Sequence, residues 1–348
     1  MDSPSAVALL SLLNSCEPRG GQLLYDGRQN EIQHGGATAI DMGSEQTADE
    51  VFQVLSDATR IDVLRTIAVA QYENKQSGVA ELSFSEIYDR IDVDDTSKLS
   101  YHLGELTGTF LRKADDSYAF THAGEQLVRF VLAENYLDPP DVGPIEIEGG
   151  CQYCGETTLR AMLEAQYFMV YCTACNKGAN AYRIRPAQVR SRTGDELIDA
   201  VIREQAGDLL KTRRGVCPDC GGRIETEVWD VANIPFLEEV PVSHVTVSDC
   251  QDCLRFLSLP LPAAAAYHPE SISFHWDHGV DILGSGVWEF NRHLHDGRWT
   301  SERFDTDPEE YRVELRRETA TLRLFLDEDT NVTRTERVRR RDQSGRPS

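Results

Sequence analysis

An α+β chain in two unlike parts is what three features of the sequence predict. Apolar residues recur at helical spacing between residues 47 and 136, strand-like alternation takes over beyond residue 151, and four Cys-x-x-Cys pairs fall in that second part. With 348 residues the chain is long enough for two or three domains, each burying its own core. At 40% hydrophobic and 27% charged it is too apolar for wholesale disorder. Its richest apolar run, Phe256 to Tyr267, is broken by Pro260 and Pro262 and falls short of the ~20 residues of a membrane span. The N-terminus has neither a basic leader nor a small-residue cleavage pattern, so no signal peptide is expected and the cytoplasm is the expected compartment.

Residues 1–46 are rich in Gly, Ser, Gln and Asn and read as a flexible extension, with Met1 or Met42 as the native start. Val51, Phe52 and Leu55, then Ile61, Val63, Leu64 and Ile67, predict two helices with Ser56-Asp57 as break and cap. Leu82 to Ser85 reads as a short strand or turn, with Ser85 capping a helix that carries Ile87 and Ile91. Asp94-Asp95-Thr96 opens a further helix whose inner face is Leu99, Leu103 and Leu106. Phe110 to Lys113 and Ser117 to Phe120, separated by Asp115-Asp116, predict a β-hairpin. Thr121 caps a last helix with Leu127, Val128, Val131 and Leu132. Helices, helix–turn–helix, hairpin, helix is the order of a winged helix-turn-helix domain, here over residues 47–136. The proline- and glycine-punctuated stretch 137–150 reads as a linker.

Two segments carry a family resemblance. Val51 to Ala68, with Leu55-Ser-Asp-x-Thr-Arg60 at its core, resembles the opening of ArsR-family winged-helix regulators. Asp94 to Leu106, with Ser97, Ser100, His102 and Leu103 at the family's spacing, resembles their recognition helix, and Tyr118 to Val128 resembles the wing's last strand entering the final helix. The resemblance covers about residues 49–135, roughly a quarter of the chain. It implies binding of double-stranded DNA and a homodimer formed through the flanking helices. Thr96, Ser97, Lys98, Ser100, Tyr101 and His102 would then face the duplex, with Arg112, Lys113 and Tyr118 of the hairpin beside them. No cysteine lies between Asp49 and Gly150, so metal sensing at the family's usual place is not expected.

Charge argues in the other direction. Asp+Glu number 58 against 35 Lys+Arg, a formal charge of −23, and only five of the basic residues are lysines. This acid-rich, lysine-poor composition resembles that of proteins from salt-loving archaea, where concentrated salt screens self-repulsion. Residues 47–144 carry eight basic and 18 acidic side chains, whereas a typical DNA-binding domain is basic. Concentrated salt shrinks the gain from counterion release, so such a reader would depend on local contacts rather than net charge.

Eight of the nine cysteines form the pairs Cys151/Cys154, Cys172/Cys175, Cys217/Cys220 and Cys250/Cys253. In a reducing compartment such thiols read as metal ligands rather than disulfides. Seventeen residues separate Cys154 from Cys172, the spacing of a zinc ribbon; 29 separate Cys220 from Cys250, a longer loop than usual. Gly155 and Gly178 are expected to supply the positive φ after the first two turns. Two structural zinc ions are therefore expected, with rubredoxin-like iron and crossed pairing of the turns as alternatives.

Thr193-Gly-Asp-Glu196 predicts a capping box opening a connecting helix with Leu197, Val201, Ile202 and Leu209. His268, His275 and His278, interleaved with Phe274 and Trp276, read as a packed amphipathic helix rather than a catalytic or metal set. Tyr311 to Leu315 and Thr319 to Leu326 read as antiparallel strands. The arginine-dense stretch 331–348 reads as a disordered basic tail, able at most to touch phosphates, after a zinc-ribbon module at 151–330. The expected function is a DNA-binding transcriptional regulator without enzymatic activity, whose C-terminal module senses an effector or recruits a partner. A zinc-ribbon scaffold contacting RNA or the transcription machinery and an iron electron-transfer protein are the rival readings.

Overall fold

The structure, a computed structural model, describes residues 47–75, 81–164, 166–233 and 241–339. The N-terminal extension, Met42 and Cys16, and the arginines beyond residue 339 lie outside these residues. The chain divides into two compact units between residues 138 and 139.

The first unit contains α1 (Ala48–Val54), α2 (Ala58–Glu73), β1 (Leu82–Ser83), α3 (Phe84–Tyr88), α4 (Thr96–Leu106), β2 (Leu111–Ala114), β3 (Ser117–Phe120) and α5 (His122–Leu132). Its helix starts are set by side chains that take up orphan amide groups: Asp57 accepts from Thr59, Asp95 from Lys98 and Thr121 from Gly124. Ser83, not Ser85, caps α3, in a reciprocal box with Glu86, and α3 ends at Tyr88, before Ile91. The hairpin pairs Leu111 with Phe120 and Ala114 with Ser117, and β1 adds to the far side of β3. Val63, Leu64, Ile67, Ile87, Leu99, Leu103 and Leu106 converge on one core that Phe110, Leu111 and Val128 close. Gly124 is required where α5 meets the hairpin, since a Cβ there would lie 2.0 Å from the Phe110 carbonyl oxygen.

The second unit opens with a four-stranded antiparallel sheet in the order β4 (Ile145–Glu146), β5 (Leu159–Glu164), β6 (Tyr167–Cys172), β7 (Gly178–Arg183). Part of the stretch expected to be a linker is thus the edge strand of this sheet. Then come α6 (Pro186–Val189) and α7 (Gly194–Thr212). Thr193 stands at the N-cap of α7, but its side chain makes no capping hydrogen bond, so the expected capping box does not form. A three-stranded sheet follows from β8 (Ile224–Asp230), β9 (His244–Cys250) and β10 (Phe256–Pro260), in the order β10-β9-β8. The unit ends with α8 (Leu261–Ala266), α9 (Pro269–Trp276), α10 (Val287–His295) and the meander β11 (Trp299–Phe304), β12 (Glu310–Arg316), β13 (Ala320–Leu326), β14 (Val332–Arg339).

Helix α7 ties this unit together. Leu197, Val201 and Ile202 pack into the core of the first sheet with Phe168 and Trp288, while Ala206 and Leu209 belong to the core shared by α8–α10 and β12–β13. This is the packed connecting helix that its periodicity predicts. His275 is fully buried and Trp276 exposed, as expected for a packed α9.

Strand β14 corrects the sequence reading of the C-terminal end. Residues 332–339 are no tail: they pair with β13 from Ala320↔Arg339 to Leu326↔Val332. Arg337 binds Glu270 of α9 and Asp277 just past its end at 2.8 and 2.9 Å, and Arg334 stacks over Phe325 at 3.7 Å. Two arginines expected to be solvated are therefore committed to the fold.

Candidate metal centres and the α4 face

The four Cys-x-x-Cys turns share one backbone design. In each, the first cysteine's amide donates to the carbonyl five residues on: Cys151 to Glu156, Cys172 to Lys177, Cys217 to Gly222, Cys250 to Arg255, at 2.8–3.0 Å. The amide four residues on donates back to that cysteine's carbonyl, which puts Gly155, Asn176, Gly221 and Leu254 in the left-handed region, with φ of +74°, +56°, +79° and +59°. Gly155 matches the sequence expectation; in the second turn Asn176, not Gly178, takes the positive φ. Asparagine tolerates that conformation because its short amide compensates locally, whereas the exposed Leu254 bears its full steric cost.

Each pair of turns is brought together by a sheet. Strands β5 and β6 place Cys151, Cys154, Cys172 and Cys175 together, and β8 and β9 do the same for Cys217, Cys220, Cys250 and Cys253. Cys151 lies 3.6 Å from Cys175 and Cys154 lies 3.7 Å from Cys172, sulfur to sulfur; the second set gives 3.6 Å for Cys217–Cys253 and 3.5 Å for Cys220–Cys250. A tetrahedral zinc with Zn–S of about 2.3 Å has sulfur–sulfur edges of roughly 3.8 Å, so both sets fit such an ion; a disulfide would need about 2.05 Å. The two four-cysteine groups can hold two metal ions, and the turns pair in sequence order rather than crossed.

The thiols are poised unequally. Burial works against ionisation of Cys172, yet the amides of Cys175 and Ala174 and the Thr158 hydroxyl bring its pKa down to about 7; Cys250 reaches about 7 through the amides of Cys253 and Asp252. Burial, reinforced by the neighbouring thiols, pushes Cys175 and Cys253 up to about 12. Four packed thiols do not all ionise unaided, and a divalent cation supplies the missing charge while displacing their protons.

The second centre is tied to the first sheet by a buried polar network that sequence reading missed. Arg255, two residues beyond Cys253, reaches Asp219 inside the Cys217–Cys220 turn at 2.7 Å and Asp208 of α7 at 3.0 Å. Tyr182 of β7 donates to the same Asp208 carboxylate at 2.9 Å. Burial raises the Asp208 pKa, against the pull of Tyr182 and Arg255. Across the turns, Asp252 accepts from the Arg223 amide, an approach that Gly222 permits because a Cβ there would lie 2.0 Å from the Asp252 carboxylate.

In the first unit, α4 turns Leu99, Leu103 and Leu106 fully inward. Thr96, Ser97, Lys98, Ser100 and Tyr101 are exposed, as are Arg112 and Lys113 on β2. His102 and Tyr118 are not available at the surface, contrary to the sequence expectation. His102 is 3% exposed, because it follows Leu99 by three positions and so shares the inner face, 4.0 Å from Asp57. Tyr118 is 6% exposed because β3 is the central strand of its sheet, and Lys113 covers its ring at 5.3 Å. Acidic neighbours temper the exposed cations: Lys98 pairs with Asp94 at 3.2 Å and Arg112 with Glu81 at 3.1 Å. No helix among the described residues is long and apolar enough to cross a membrane.

Comparison with known proteins follows the same division of the chain. A family model described as Domain of unknown function (DUF7351) matches residues 148–332, and one described as Domain of unknown function (DUF7347) matches residues 48–131. The first spans more than half of the chain, which therefore belongs to the DUF7351 family. No curated protein and no solved structure matches the chain.

Proposed function

We propose that the chain is a DNA-binding transcriptional regulator with an ArsR-like winged helix, acting as a homodimer. The observation that carries this reading is the outer side of α4. A helix anchored by three fully buried leucines carries an exposed row of small hydroxyls, one lysine and one tyrosine, and a hairpin with Arg112 and Lys113 follows it. Hydroxyls and amino groups on such a helix can bond to base edges and phosphates, while hairpin cations hold the backbone. The dimer reading is supported by exposed apolar side chains on the outer helices: Phe52 of α1, Val69 and Tyr72 of α2, and Phe130 and Leu132 of α5. The metal is zinc in this reading, and its role is structural, because four thiolates leave no coordination position open for water.

Chromatin mapping of the tagged protein tests the proposal. Discrete enriched promoters that lose occupancy when Ser97 and Ser100 are both changed to Ala support it. Occupancy that is absent, or untouched by those changes, overturns it.

A further inference from the structure

The two metal centres share one turn design but not the same cover. In the first set Cys151 and Cys172 are buried and Cys154 and Cys175 half-buried; in the second, Cys217 and Cys250 are buried while Cys220 and Cys253 are exposed. The end of α10 accounts for part of the difference. His295 Nδ1 donates to the Gln152 carbonyl at 3.2 Å, and a Cβ on Gly155 would lie 2.7 Å from the Nε2 of the same ring, so this side chain closes over the Cys151–Cys154 turn. At the equivalent Gly221 of the second centre, a Cβ would meet no atom within 4 Å among the described residues. The other turn of that centre ends on Leu254, which is 85% exposed.

Thiolate is both the metal-ligating and the nucleophilic form of cysteine, and access decides which thiolate a small oxidant reaches. The two exposed sulfurs stand one on each turn, and each faces a buried sulfur of the other turn: Cys220 lies 3.5 Å from Cys250, and Cys253 lies 3.6 Å from Cys217. Joining either pair takes a closure of about 1.5 Å, to an S–S bond of about 2.05 Å. We propose that the exposed side of the second centre, formed by Cys220 and Cys253, is a modification site for hydrogen peroxide. The exposed thiolate attacks one peroxide oxygen: an S–O bond forms, the O–O bond breaks, hydroxide leaves and the sulfur becomes a sulfenic acid. The buried thiolate across the turns then attacks that sulfur, an S–S bond forms and the S–O bond breaks with loss of a second hydroxide. Two thiolates have given up two electrons, and the two hydroxides take two protons from solvent to become water. A disulfide in place of two thiolates leaves a bound zinc ion two ligands short, which releases it. The Cys217–Cys220 turn also carries Asp219, which shares Arg255 with Asp208 of α7, so the change is passed into the fold of the second unit. The site is independent of the DNA-reading proposal and rests on the zinc reading only for the release of the ion.

The test is a time course of hydrogen peroxide on the full-length, zinc-loaded protein. Free zinc is followed with a chromophoric chelator, and the cysteines are mapped by alkylation and peptide mass spectrometry. The second set is expected to oxidise at least about tenfold faster than the first, with one ion released per chain and Cys220 linked to Cys250 or Cys253 to Cys217. Dithiothreitol with added zinc is expected to restore the lost ion. Oxidation of both sets at one rate, or of the first set ahead of the second, overturns the proposal. A disulfide confined to one Cys-x-x-Cys pair overturns the cross-turn step. Zinc counted before peroxide is added reports on the zinc reading alone, and the order in which the thiols oxidise decides the site whatever that count is.

Discussion

Arg255→Met isolates the contact that joins the second metal centre to the rest of its unit. The guanidinium is 16% exposed and bridges two carboxylates, Asp208 at 9% and Asp219 at 40%. When it is removed, Asp219 turns to water at little cost, but Asp208 is left buried with only the Tyr182 hydroxyl. Removing one partner of a buried pair costs about 3–5 kcal/mol, and the low end applies here because Asp208, already raised by burial, can take up a proton instead. A loss of about 3 kcal/mol corresponds to roughly 6–12 °C in Tm for a unit of this size. The penalty should grow as pH rises through the titration of Asp208, since holding Asp208 ionised without Arg255 is the unfavourable state. Thermal denaturation of metal-loaded protein followed by circular dichroism measures it, with Arg255→Met/Asp208→Leu expected to recover most of the loss. A single variant within about 0.5 kcal/mol of wild type, or a double variant worse than the single, would show that Arg255 does not anchor the second centre through Asp208.

Three further outcomes follow from the geometry. Leu254→Gly removes a side chain from a left-handed, exposed position and should stabilise the second unit by up to about 1 kcal/mol, read as a higher Tm; a lower Tm contradicts the strain argument. Native mass spectrometry should find two zinc ions per chain in colourless protein, and Cys217→Ala should lose one ion and keep the other; loss of both, or a coloured iron protein, contradicts independent zinc centres. Burial holds His275 of α9 and His293 of α10 at about 4, below the ordinary 6.5, so the folded protein binds fewer protons than the unfolded chain between those values. Stability should be flat above pH 6.5 and fall towards pH 4 by up to about 1.4 kcal/mol per pH unit for each histidine, while a pH-independent Tm across that range rules the effect out.

What the sequence made legible is the part encoded locally. The Cys-x-x-Cys spacing, the inner leucines of α4 and the hairpin around Asp115-Asp116 each depend on neighbours a few residues apart. The cap at Thr121 is local in the same sense. What escaped depends on distant partners. Arg255 meets residues 36 and 47 positions earlier, and its role could not be read before the sheets brought them together. Strand β14 reads as a basic tail because its arginines face outward and its apolar positions are few; only pairing with β13 and with the acids at the start and end of α9 makes it a strand. The burial of His102 was readable in principle, since it stands three residues after Leu99 and beside Leu103. Its match to a family motif masked the helical arithmetic.

In the proposed function, the exposed side of α4 and the hairpin beside it bind duplex DNA. Gel shifts of a promoter duplex bound by the wild-type protein, repeated across a high-salt series with Lys98→Ala/Arg112→Ala, decide between binding and its absence. The double variant should bind more weakly, with a salt slope shallower by about 0.9 for each phosphate contact removed. Equal affinity and an equal slope in the two proteins would mean that this face does not touch DNA.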